Sequence, residues 1–90
     1  MYNYQTERPF VFTERGQVMF LSIRDKTKHL LSVAVAATME KLIAGQSGCS
    51  WSMIACVDRL VELGEIRELT NPAGIIGQHR VFVRSDHGRL

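Results

Sequence analysis

The chain has 90 residues, 46% of them hydrophobic and 22% charged, with a formal net charge of +2. This is enough apolar material for one folded domain, too little length for two, and too much hydrophobicity for a disordered chain. Residues 1–45 hold six cations against four acids and residues 46–90 hold five against five, so no basic block marks a nucleic-acid footprint.

A domain of this size buries only about 60–65% of its unfolded surface, which leaves modest stability unless copies associate. Cys49 and Cys56 are seven positions apart, which is neither a redox pair nor a local disulfide spacing, and Cys56 is expected in the core of a reduced protein. The start, MYNYQTERPF, lacks the apolar stretch of a signal peptide. The longest nearly apolar run, Leu30 to Met39, falls short of the roughly 20 residues a bilayer requires. A cytoplasmic protein without membrane contact is expected.

Residues 1–12 contain Tyr2, Tyr4, Phe10, Val11 and Phe12, with Pro9 favouring extended backbone at Arg8. They read as a short strand or an arm packed across the domain, frayed over residues 1–7, with Phe10 to Phe12 buried. Thr13-Glu14 is a helix start, and Phe20, Ile23, Thr27, Leu30 and Ala34 mark the buried stripe of the helix that follows. A hairpin of Phe10–Thr13 and Val18–Ile23 around Glu14-Arg15-Gly16 is the competing reading; the helix is preferred.

Val33 to Ala37 either continues that helix or forms a short extended link. Thr38 then caps a short helix through Met39-Glu40-Lys41-Leu42-Ile43-Ala44, and the two glycines and two serines of residues 45–50 break it. From Ser50, a capping residue, apolar side chains recur at Met53, Ile54, Cys56, Val57, Leu60, Val61 and Leu63. This predicts a helix over 51–63 that Gly64 stops. An extended segment at Glu65-Ile66-Arg67, a loop at Asn71-Pro72-Ala73-Gly74 and the strand-like Gln78 to Arg84 predict a β-hairpin. Ser85 to Leu90 reads as a flexible tail.

Helix, short helix, turn, second helix and hairpin is the order of a winged helix-turn-helix domain. The spacing Ala44-x-x-x-Gly48 followed by Ile54 resembles the small-residue, turn-glycine and apolar-anchor pattern of that family. The run Val57-Asp58-Arg59-Leu60-Val61-Glu62-Leu63-Gly64-Glu65-Ile66 resembles a recognition helix running into the first wing strand. Either Ile54 or Met53 occupies the anchor position. Gly16-Gln17, Phe20-Leu21, Arg24-Asp25 and the run from Trp51 through Ala55 to Ile66 are also similar to small bacterial proteins of uncharacterised function. The fold class implied is α+β: residues 13–84 form three helices followed by a two-stranded wing, preceded by an arm or strand at 1–12 and followed by the tail at 85–90.

The resemblance implies a small transcriptional regulator that binds double-stranded DNA with the start of the 51–63 helix in the major groove. Ser50, Trp51, Ser52, Ala55 and Arg59 are then the candidates on its outer face, and His79, Arg80 and Arg84 the wing contacts to the backbone. Against this, residues 51–63 carry one cation, Arg59, against Asp58 and Glu62, and phosphate neutralisation supplies much of DNA affinity. Trp51, Ile75 and Ile76 suit an apolar partner instead, so a winged-helix protein-interaction or homodimerisation module without DNA binding is the alternative. His29, His79 and His87 have no metal-ligand spacing with the cysteines, and residues 45–48 lack the lysine and preceding strand of a phosphate loop. No catalytic residue, metal or cofactor is expected.

Overall fold

The computed structural model describes residues 1–69 and 79–88. They form a small α+β domain with four helices and a three-stranded antiparallel sheet, in the order α1 (Tyr4–Val11), α2 (Glu14–Val33), β1 (Ala36–Thr38), α3 (Met39–Ile43), α4 (Ser50–Glu62), β2 (Ile66–Glu68) and β3 (Val81–Arg84). Two elements exceed the expected three helices and two-stranded wing: α1 and β1.

Residues 4–11 are helical, not a strand or a frayed arm. Asn3, in extended conformation, accepts a hydrogen bond from the Thr6 amide at 3.2 Å and so caps the first turn. Pro9 sits inside the helix, where it removes one backbone donor. An eight-residue helix with an internal proline does not hold by itself in water. Its packing along α4, with Val11 fully buried, supplies what the local sequence lacks. Phe12, expected in the core, is half exposed.

Thr13 caps α2, its hydroxyl accepting from the Gly16 amide at 3.0 Å, and the 20-residue helix replaces the hairpin alternative. The inward stripe is Gly16, Phe20, Ile23, Thr27 and Leu31. Leu30 is only partly buried and Ala34 is exposed, because the helix ends at Val33 and Ala34 turns extended (φ −139°, ψ 151°). A glycine is required at 16: a Cβ there would stand 1.8 Å from the Phe10 carbonyl oxygen, so its absence lets the end of α1 cross directly over α2.

Beyond Ala34 the chain pairs as β1 with β3, Ala37 opposite Phe82, and Thr38 then caps α3 by accepting from the Lys41 amide. The turn after α3 uses Gly45 (φ 85°) and Gly48 (φ 112°), conformations that side-chain-bearing residues rarely adopt. Helix α4 starts one residue earlier than expected, with Cys49 and not Ser50 at the cap, and no side-chain cap hydrogen bond forms. Met53, Ala55, Cys56, Val57 and Leu60 are its buried apolar positions. Met53 is therefore the inward anchor and Ile54 lies at the margin.

The exit is a Schellman motif. Gly64 (φ 77°) donates to the Val61 carbonyl and Glu65 to the Leu60 carbonyl, both at 3.0 Å, and β2 begins two residues later. Strand β3 lies between β1 and β2, antiparallel to both, and its Phe82 and Val83 are fully buried. The core fills the space between this sheet and the inner stripes of α2, α3 and α4, where Ile23, Met39, Leu42 and Leu60 are all but inaccessible. Residues 85–88, expected as part of a flexible tail, form a turn in which the Arg67 guanidinium donates to the His87 carbonyl at 2.6 Å. No helix among the described residues is long and apolar enough to cross a membrane.

Candidate interaction face on helix α4

Helix α4 carries Asp58 and Glu62 one turn apart, so both acids project from one side of it. Helix α1 and the residues before it meet that side. The Tyr2 hydroxyl donates to Asp58 Oδ2 at 2.6 Å, and the Tyr4 hydroxyl to Glu62 Oε1 at 2.7 Å. Arg8 reaches both Glu62 oxygens at 3.0 and 3.1 Å, and Arg59 adds a contact of 2.8 Å from within α4. The Phe12 ring takes the Arg8 and Arg59 guanidiniums at 4.9 and 5.0 Å from its centroid.

These donors leave their mark on the titrating groups. Hydrogen bonds from Tyr4, then Arg59 and Arg8, hold the Glu62 carboxyl down at about 2. Burial and the bond to Glu62 push the Tyr4 phenol up to about 12, and burial with the bond to Asp58 raises Tyr2 further.

Arg80, just before β3, is the second centre. Its guanidinium donates to Asp58 Oδ1 at 2.7 Å and to both oxygens of Glu68 at 2.7 and 2.9 Å, and it packs over Phe82. Its side chain is 18% exposed and that of Asp58 12%. Hydrogen bonds to Glu68 and then Asp58 outweigh the burial that opposes its charge, so its pKa is raised. This arginine ties α4 to β2 and to the start of β3.

The nominated residues consequently separate. Ser52 and Ala55 do not lie on the outer face of α4: Ala55 is fully buried and Ser52 nearly so. Arg59 and Arg80 point into ion pairs made by the chain itself. Ser50, Trp51, His79 and Arg84 are exposed, Trp51 at 41% and not tucked into the core. Arg84 makes a loose pair with Asp86 at 3.4 Å. Ile75 and Ile76 lie outside the described residues.

Sequence reasoning missed Tyr2, Tyr4, Arg8 and Phe12. The available signal was the acid pair at 58 and 62, one turn apart on a helix with a single cation, Arg59, so that the pair needs further donors from elsewhere in the chain.

Beside the first turn of α4 the surface is cleft, with apolar and polar side chains mixed along the groove. Phe10, Arg15, Val18, Met19 and Ser22 line a groove of about 660 Å³ together with the turn at residues 46–49 and Ser52. Val18 is 72% exposed and Leu21, one turn along α2, 48%. Cys49 borders the groove as a free, exposed thiol whose pKa is lowered by the amides of Ser52 and Trp51. Burial pushes Cys56 up to about 11. No cluster of three His, Cys, Asp or Glu suited to a metal occurs among the described residues. Comparison with family models, with curated proteins and with solved structures finds no match to this chain.

Proposed function

We propose that this chain is a winged-helix domain that acts as a protein-interaction module, with a second copy of itself as the partner, and not as a reader of the major groove. The order α2, β1, α3, α4, β2, β3 with β3 central fits the winged-helix arrangement, α1 being an addition to it. The observation that carries the interaction reading is that Arg59 and Arg80 are already paired with Glu62, Asp58 and Glu68. Each phosphate contact contributes salt-dependent affinity, and binding through these two arginines would first have to break internal ion pairs. Arg15 and Ser22 line the α2 groove, and the exposed large apolar side chains near it are Val18, Leu21 and, at the start of α4, Trp51. Those apolar side chains gain more from another protein surface than from phosphates.

DNA binding is the second reading, favoured by Ser50 and Trp51 standing free at the start of α4, where a winged helix would enter a groove. Sedimentation equilibrium over a wide concentration range, paired with fluorescence anisotropy on random duplex DNA at low and moderate salt, separates the two. Self-association lost in Val18→Lys, with no salt-sensitive DNA binding, is the expected result. A monomer at every concentration overturns the self-association reading. Salt-sensitive DNA binding weakened by Trp51→Ala favours the second.

A further inference from the structure

Helix α2 buries one side and leaves the other in solvent. Its outer residues Glu14, Val18, Leu21, Asp25, Lys28 and Ser32 are all exposed, and they fall four, three, four, three and four positions apart. That is the spacing of a coiled-coil seam, so they form one straight stripe along the helix. Val18 and Leu21 stand in it at 72% and 48% exposure. Arg15, also exposed, lies beside the stripe three positions before Val18.

The charges on this side are not used within the domain. Arg24 is held by Glu65 and Lys26 by the Ala44 carbonyl, both off the stripe. Glu14, Arg15, Asp25 and Lys28 have no ion pair among the described residues. Their order along the helix is acid, base, acid, base. Glu14 and Lys28 stand seven positions either side of Leu21, and Arg15 and Asp25 stand five either side of position 20. The stripe therefore carries opposite charges at matched distances from an apolar centre.

A partner for this surface has to meet acid with base at both ends and be apolar in the middle. Phosphates would face Glu14 and Asp25, and a purely apolar surface would strip water from the charges without pairing them. The same stripe, reversed, supplies what is needed. We infer that two copies of the chain pair through these stripes, antiparallel, about a two-fold axis at Leu21. Leu21 then packs on its own counterpart, Glu14 faces Lys28 and Arg15 faces Asp25, and each pair occurs twice because the interface is self-complementary. A parallel pair would set each charge against its own kind. The inference rests on the self-association proposed above and adds its direction and register.

The test is sedimentation equilibrium of the full chain at low salt, with variants at exposed positions. Glu14→Lys is expected to weaken self-association roughly tenfold, the worth of an exposed ion pair lost twice. Adding Lys28→Glu to it is expected to restore the parent's affinity. Disulfide formation reads the axis, in a Cys49→Ser background so that the exposed native thiol takes no part. Leu21→Cys is expected to oxidise to a covalent dimer, because the two copies of position 21 face each other. Ser32→Cys, on the same stripe but eleven residues from the axis, lies about 33 Å from its counterpart along the helices and is expected to stay unlinked. A self-associating protein in which Glu14→Lys changes nothing, or in which Ser32→Cys links and Leu21→Cys does not, overturns this pairing and leaves the self-association itself standing. A monomer at every concentration overturns both.

Discussion

Gly16→Ala isolates the contact that seats α1. A methyl group at 16 would begin 1.8 Å from the Phe10 oxygen, 2.7 Å from the Phe10 carbon and 2.9 Å from the Val11 carbon, all backbone atoms that no rotamer change can move aside. A Cβ needs at least 3.0 Å, so the end of α1 must retreat by at least about 1.2 Å. That retreat strains the junction, where the Phe10 oxygen accepts from the Thr13 amide at 3.0 Å and its hydroxyl at 2.7 Å, and Gln17 donates to the Val11 carbonyl at 2.5 Å. Overpacking of this kind costs about 1–3 kcal/mol or more, against roughly 0.5–1 kcal/mol gained by alanine over glycine in a helix. Taken at mid-range the net loss is about 1 kcal/mol, a fall in melting temperature of roughly 4–8 °C for a domain this small. Urea denaturation followed by circular dichroism measures it, and hydrogen exchange should show faster exchange in residues 4–11. A variant as stable as the parent, with α1 still protected, would refute the claim that this close approach holds α1 in place.

Arg80→Ala leaves Asp58 and Glu68 facing each other without their shared cation. The loss should be about 2 kcal/mol, between the ranges for exposed and buried pairs, and readable as a lower urea midpoint. For Glu62, the folded carboxyl titrates near 2 against an unfolded value near 4.5, so its stabilising contribution is complete above about pH 4.5 and fades as the pH falls toward 2. Glu62→Gln should therefore be less stable at neutral pH and show a shallower decline of melting temperature over that acid window. Iodoacetamide at neutral pH should add one group to the native protein, at Cys49, and two in denaturant, where Cys56 loses its burial; mass spectrometry counts them.

Much of the fold follows from local signals. Thr13 and Thr38 mark helix starts, Gly64 marks the exit of α4, and the valine-rich run before Arg84 marks β3, because each acts within a few residues of itself. The rotation of α4 was ambiguous because Met53 and Ile54 are equally apolar, and the position of the sheet and α2 decides between them. β1 was obscure for a different reason: Ala36-Ala37-Thr38 has no strand signature, and its pairing partner Phe82 lies 45 positions beyond Ala37. Pro9 argues locally for extended chain at residues 1–12, whereas packing on α4 imposes the helix α1. The same limitation governs Arg80. Arg59 pairs with Glu62 three residues on in its own helix, a spacing the sequence shows, whereas the acids that claim Arg80 arrive from α4 and β2.

Strand β3 occupies the middle of the sheet, and its position in the chain has a consequence for synthesis. A ribosome delivers β1 and β2 before it delivers residues 81–84, and until then both strands lack their common neighbour. During that interval β1 and β2 expose unpaired backbone edges, and the hydrophobic side of the helical layer lacks Phe82 and Val83. The sheet cannot be completed until residues 81–84 have been delivered. Chains stalled or cleaved before residue 81 should therefore be substrates for chaperones and proteases, while a peptide carrying residues 79–88, supplied separately, would be the natural piece to rescue them.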